Sequence, residues 1–227
     1  MLVKSYDEFL RAVNECGFIT MGQNGVGMPN LNEITSRSAW YCGDPDRDPS
    51  IWKNRFARDK EGIHIQLLSK HFMLSLEYYD VFKAIYGNKD SVEAMYSKGL
   101  LNKYAVQIEQ ALLDAEYIGI YDFKKLFSIK SKDDLKLFKK ALDDLQSAMK
   151  ITISGAAKRV NKLGDTVGWN GATFSIIPLW LENVHKSIDI PAAQAYELIT
   201  SKIKSYYPEI EKKDIDRFLK LKNRPLI

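Results

Sequence analysis

The sequence has little of what metal, redox and hydrolytic sites are usually built from. Its 227 residues include three histidines, His64, His71 and His185, and two cysteines, Cys16 and Cys42. The histidines show no metal-ligand spacing and no paired nucleophile. The cysteines form no CxxC motif and no cluster with histidine. A disulfide framework, a zinc site and a hydrolase triad are therefore not indicated, and the cysteine usage suits a reducing, cytoplasmic setting. No metal or cofactor is expected. Long apolar runs are also absent, since the longest, Phe174 to Leu181, is interrupted by Ser175 and Pro178. Met1-Leu2-Val3-Lys4 leads almost at once into a capped polar helix, so neither a signal peptide nor a membrane span is expected. Glycines 22, 25 and 27 are not followed by Lys-Ser/Thr, so a phosphate-cradling loop is not supported. There is no internal repeat or low-complexity tract. Charge of one sign is scarce as well: 33 basic against 29 acidic residues leave +4, too little to indicate a nucleic-acid partner by total alone.

What is present is a helical chain with clear punctuation. With 45% hydrophobic and 27% charged residues, it has the composition of a globular protein of one or two compact units. Ser5-Tyr6-Asp7-Glu8 is a capping box, with Tyr6, Phe9, Leu10 and Val13 at helical spacing and Gly17 suited to the C-terminal left-handed position. A loop is expected from Gly22 until Asp48-Pro49 restarts a helix whose Trp52 and Phe56 face inward. Helices are expected from Ser75 to Gly87, from Asp90 to Gly99, through Leu101, Tyr104, Ile108 and Leu112, and briefly after a cap at Asp122. Another starts at Ser131, with an apolar stripe of Leu135, Phe138, Leu142, Leu145 and Met149. The period then changes. Ile151 and Ile153 alternate with Thr152 and Ser154, and Ala172 to Ile177 reads as a second strand, so the two form a hairpin with a basic, glycine-containing connection. Further helices are expected from Pro191 to Tyr206 and from about Lys213 to Leu221.

Three helices followed by two strands is the order of a winged helix-turn-helix. The fold class expected is mainly α with small β-hairpins (α+β), as one winged helix or tandem divergent ones. Such a module binds double-stranded DNA with its third helix in the major groove and its wing along the backbone, which requires cations on both. Lys132, Lys136, Lys139 and Lys140 stand opposite the apolar stripe of the third helix, with Gln146 and Ser147 as polar candidates and Asp143 and Asp144 interrupting the basic surface. Lys158, Arg159 and Lys162 lie on the wing. The alternative is a solvated amphipathic helix held by pairs such as Lys139 with Asp143, or a winged helix that binds protein.

Gly43-Asp44-Pro45-Asp46-Arg47-Asp48-Pro49 places three carboxylates at alternate positions, but Pro49 and Arg55 occupy the sixth and twelfth places, where a calcium loop needs glycine and glutamate. Asp48 reads as a helix cap. Asp44 and Asp46 are the weak candidates for a catalytic acid, and Trp40 and Trp52 beside them suggest a pocket for a stacked base.

Ser38-Ala39-Trp40, the Gly43 to Pro49 block, Trp52 and Arg55, and the winged-helix segment with Gly164 and Gly168-Trp169 together resemble the AlkZ-related proteins. These are divergent relatives of the winged-helix DNA glycosylases of the AlkZ/YcaQ type. The resemblance spans most of the chain and implies tandem winged helices. Residues 1–100 would be a divergent winged helix without its strands, residues 101–182 the clearest one, and 183–227 a C-terminal helical extension. It also implies DNA binding and descent from enzymes that excise alkylated bases by hydrolysing the N-glycosidic bond. Those enzymes use a Gln-x-Gln or Gln-x-Asp pair, whereas the matching stretch here is Phe18-Ile19-Thr20-Met21. The expectation is therefore a DNA-binding protein without the catalytic pair. The alternative is an active glycosylase that uses Asp44 or Asp46.

Overall fold

The computed structural model describes residues 2–160, 165–168 and 170–221. Most helices start where a short polar side chain offers an acceptor to an otherwise unpaired amide. The first, α1 (Tyr6–Cys16), is capped by Ser5, whose Oγ accepts from Glu8 N at 3.3 Å. The Glu8 carboxylate accepts from the amide of Lys4, one residue before the cap. Gly17 ends the helix at φ +77°, and a Cβ there would collide with the Tyr78 ring. Strand β1 (Phe18–Thr20) follows. The stretch expected as loop contains a helical turn, α2 (Leu31–Ile34), capped by Asn30, and a 3-10 turn at Arg37–Ala39. Asp48 caps α3 (Pro49–Arg58).

Residues expected to have lost their strands form a full hairpin, β2 (Gly62–Leu67) with β3 (Lys70–Ser75). Helix α4 (Leu76–Tyr86) is capped by Ser75, and α5 (Val92–Ser97) by Ser91 rather than Asp90. Then come α6 (Lys103–Leu113), β4 (Ile118–Gly119) and α7 (Ile120–Leu126), which starts two residues before the expected cap at Asp122. Helix α8 (Lys132–Ser147) is capped by Ser131, as read. Strands β5 (Ile151–Ala157) and β6 (Gly171–Ile176) pair antiparallel, and α9 (Ile177–Trp180), α10 (Ala192–Tyr206) and α11 (Lys212–Phe218) complete the chain.

The fold is mixed α+β, and one order of elements occurs twice: helix, strand, helix, helix, strand, strand. The first pass is α1-β1-α2-α3-β2-β3 and the second α6-β4-α7-α8-β5-β6, although no sequence repeat announces it. In each pass the first strand pairs with the third and the third with the second. The two second strands then meet, giving one six-stranded antiparallel sheet in the order β1-β3-β2-β5-β6-β4, joined where His64 faces Ile153.

Two apolar clusters sit on this sheet. One gathers α6, α7, α8 and the inward residues of β5 and β6, and includes Val92 and Met95 of α5. The other surrounds β1–β3, whose successive residues are nearly all buried, as happens when both faces of a sheet are covered. Phe9 of α1 lies against Trp52 and Phe56 of α3, while Phe18 and Phe72 pack on Phe82 of α4 and Phe218 of α11. Ile199 and Ile203 of α10, and Ile177 and Trp180 of α9, belong to the same cluster. Among the described residues, no helix is long and apolar enough to cross a membrane.

Candidate nucleic-acid interface and the inter-repeat cleft

The apolar stripe of α8 fixes which way its lysines point. Phe138, Ala141, Leu142 and Leu145 are buried, so Lys132, Lys136, Lys139 and Lys140 lie on the exposed side. Lys140 is held by Asp144 at 2.6 Å, one helical turn on, and Asp143 stands beside Lys139 and Lys140. Lys132 and Lys136 make no ion pair among the described residues. Lys158 and Arg159 are exposed just beyond β5, and the Arg159 guanidinium lies 5.3 Å from the centroid of the Tyr121 ring, which Lys124 of α7 also approaches at 5.7 Å. The segment after β5 and the helix α7 therefore meet around one shared ring. Lys162, with Gly164 and Trp169, lies outside the described residues. Residues 121–162 contain eleven Lys and Arg against five Asp and Glu, a net +6 where the whole chain is +4, so the remainder is −2.

Gln146 does not join this surface. It is 2% exposed, and its Oε1 accepts from the Gln66 amide at 2.9 Å while its Nε2 donates to Leu142 O. A residue read as a polar contact for DNA instead fastens the third helix of the second repeat to a strand of the first.

The reciprocal approach, α3 of the first repeat onto β5 of the second, forms one wall of a cleft of about 820 Å³. A bulge at Ile153/Gly155 bends β5 there, and Gly155 sits at φ +147°. A Cβ on Gly155 would lie 3.6 Å from Arg58 Cβ and 3.9 Å from Asn54 O. The floor is the side of β5–β6 turned away from the core, where Ser154 and Thr173 share a hydrogen bond at 3.2 Å; Glu116 O accepts from Ser175 nearby. Arg58 pairs with Asp59 at 2.8 Å. Lys60 Nζ stands 4.3 Å from the centroid of the Trp180 ring and 4.0 Å from Glu116 Oε1, bridging the walls.

The aspartate block folds as a tight turn, and Pro45 is its one residue in the lining of this cleft. Asp44 and Asp46 are exposed, Asp44 Oδ1 accepting from Asp46 N, while Asp46 O accepts from Tyr6 N and Trp52 Nε1. Asp48 is 1% exposed and accepts from the amides of Tyr41, Gly43 and Ser50. Burial pushes its carboxyl up, but the hydrogen bonds from Gly43, Ser50 and Tyr41 outweigh that and hold it below the ordinary aspartate value. Trp52 has no exposed surface and stacks on Phe9 with ring centroids 5.7 Å apart. Trp40 is half-buried and donates to Thr35. Both rings are engaged in packing, and neither is among the residues lining the cleft.

Two further polar clusters join residues whose spacing in the sequence carries no signal. His64 Nε2 and His71 Nδ1 stand 3.3 Å apart on β2–β3, and burial, followed by the charge of nearby groups, depresses both, His64 to about 3. Asp80 on α4 is 2% exposed and is held by His185 Nε2 at 2.8 Å, by Ser187 and by Ile188 N, which anchors the segment before α10. Residues 105 or more apart supply those partners, so no local spacing marked them. Among the described residues, no group of three or more His, Cys, Asp or Glu side chains is arranged to hold a metal.

The order of elements, doubled and joined through one sheet, defines a class of two-repeat α+β proteins. The chain belongs to the AlkZ-related family, whose model matches residues 3–220. No curated protein and no solved structure matches it.

Proposed function

We propose that each repeat is a winged helix and that the protein binds double-stranded DNA through the outer face of α8 and the β5–β6 loop. On this reading the units are residues 1–100, 101–182 and a C-terminal extension, 183–227. The observation that carries it is the concentration of charge: a chain of +4 places +6 in residues 121–162, on elements whose exposed side holds Lys132, Lys136, Lys158 and Arg159. A polyanion is attracted by such local density, and its released counterions supply the affinity. The family relation points the same way. The matching stretch for the catalytic pair, Phe18-Ile19-Thr20-Met21, has neither glutamine nor carboxylate, and Phe18, Ile19 and Thr20 are fully buried, which supports binding without base excision.

Duplex binding measured from low to high salt tests this reading. The unaltered protein should show a steep negative slope of log affinity against log salt. A charge-reversed Lys136/Lys140/Arg159 variant should bind more weakly with a shallower slope. Identical binding by the two proteins would remove the DNA assignment. A second reading, excision of alkylated bases with Asp44 or Asp46 as the acid, is favoured by the place of Pro45, the residue between them, in the cleft lining. Abasic sites formed in alkylated duplex by the parent protein and not by Asp44→Asn or Asp46→Asn would favour it over binding alone.

A further inference from the structure

The cleft between the repeats has the composition of a ligand site rather than of a packing defect. Its volume, about 820 Å³, lies within the range of sites that enclose small molecules. Its floor is hydroxyl-bearing, with Ser154 at 3% and Thr173 at 4% exposure, on the side of β5–β6 away from the core. A polar floor suits a polar occupant. Trp180, which lines it, is 6% exposed, and its indole N–H is buried with no hydrogen-bond partner among the described residues. Orphaned donors of that kind are uncommon in a finished interior. A second cavity of about 340 Å³ shares Lys60, Glu116 and Trp180 with the first, so these three residues border both spaces.

The charged and aromatic groups are sorted by position. Arg58 and Lys60 come from α3 and the turn after it, and the Arg58 side chain is 68% exposed despite its contact with Asp59. Glu116 and Tyr117 are neighbours just before β4, the carboxylate 72% and the ring 54% exposed. Arg58, with Asp59 beside it, on one side and an aromatic face with the Lys60-paired Glu116 carboxylate on the other match a flat heterocycle that carries both an exocyclic amine and a phosphate.

We propose that the cleft binds a nucleoside 5′-monophosphate whose base carries an exocyclic amine. Arg58 takes the phosphate, Tyr117 stacks on the base, and Glu116, which Lys60 holds, accepts from the amine. The same group can reach the cleft as a free nucleotide or as the phosphorylated end of a strand. This site is separate from the α8 surface and stands or falls without it.

Calorimetric titration of the full chain with AMP, UMP, adenosine, inorganic phosphate and a 5′-phosphorylated adenine dinucleotide tests the assignment. AMP or the dinucleotide should bind saturably, and the stronger of the two identifies free nucleotide or strand end as the source. UMP and adenosine should each be weaker by about tenfold, since each lacks one of the three contacts, and inorganic phosphate, which lacks two, should be weaker still. Arg58→Ala and Tyr117→Ala should each weaken binding by about tenfold, and Glu116→Ala should abolish the preference for AMP over UMP. These side chains are exposed, so circular dichroism should report unchanged folding. Tyr117→Ala should leave duplex binding intact, which separates failure here from failure of the DNA reading. Absence of saturable binding by both adenine nucleotides, or affinity unchanged from the parent in Arg58→Ala and Tyr117→Ala, overturns the proposal.

Discussion

Gln146 in the third helix of the second repeat accepts a hydrogen bond from the backbone amide of Gln66 in the first, 80 residues earlier in the chain. The bond lies beside the seam where β2 meets β5, and its Gln146 side chain is buried. Gln146→Ala would leave a strand amide without its partner and open space beside Leu142. A loss of about 1–3 kcal/mol of unfolding free energy is expected, read as a lower urea midpoint at constant m. An unchanged midpoint would show that the seam does not depend on this bond.

The lysines of α8 should contribute unequally to duplex binding. Lys140 is already engaged by Asp144, whereas Lys132 and Lys136 make no ion pair among the described residues. Lys136→Ala should therefore shrink the salt slope by about 1, as expected for one lost phosphate contact, and Lys140→Ala should change it less. Competition experiments at several salt concentrations give both slopes, and a larger change for Lys140→Ala would contradict this account.

The aspartate block should divide the same way. Asp48→Ala removes the acceptor for three backbone amides and the cap of α3, and should cost about 2 kcal/mol or more. Asp44→Ala and Asp46→Ala change exposed side chains and should stay within about 0.5 kcal/mol of the parent. Because Asp48 is held below its ordinary value near 3.8, its contribution is present above that pH and is lost as pH falls through the lower folded value. Thermal unfolding of the three variants should rank them accordingly.

The two histidines of the β2–β3 hairpin oppose folding in acid. Burial, then the charges of His71 and Lys53, lower His64 from 6.5 to about 3, and burial, then Lys53, lowers His71. Between those values the unfolded chain binds protons that the folded chain refuses, so stability should decline as pH falls from about 6.5 toward about 3. His64→Gln should flatten that part of the stability profile measured by urea unfolding. A parent profile flat between pH 6.5 and 4 would mean that the pair is solvated.

Much of the chain was legible because helix starts are local. Ser5, Asp48, Ser75 and Ser131 each cap the helix assigned to them, and the stripe through Phe138 and Leu145 is buried as its spacing requires. The β2–β3 hairpin escaped for a reason visible in its turn. Leu68 and Ser69 both adopt positive φ, at 56° and 65°, where asparagine or glycine is the usual mark of a two-residue hairpin. The adjoining Phe72-Met73-Leu74 run is buried on both faces, so it lacks the alternation that identified β5. The aromatic pocket expected beside Asp44 and Asp46 was a neighbourhood in sequence only, because Trp52 turns into the core against Phe9.

By itself, the sequence determined its caps, its apolar stripes and the crowding of positive charge into one stretch, since each depends on residues a few positions apart. The folded chain decided that β2 would lie beside β5, with Thr152 donating to His64 O across 88 residues, and that Arg58, Trp180 and Glu116 would border one cleft. Those neighbours are chosen by which apolar faces bury each other and which strand edges find partners, and such choices are made by the whole molecule at once.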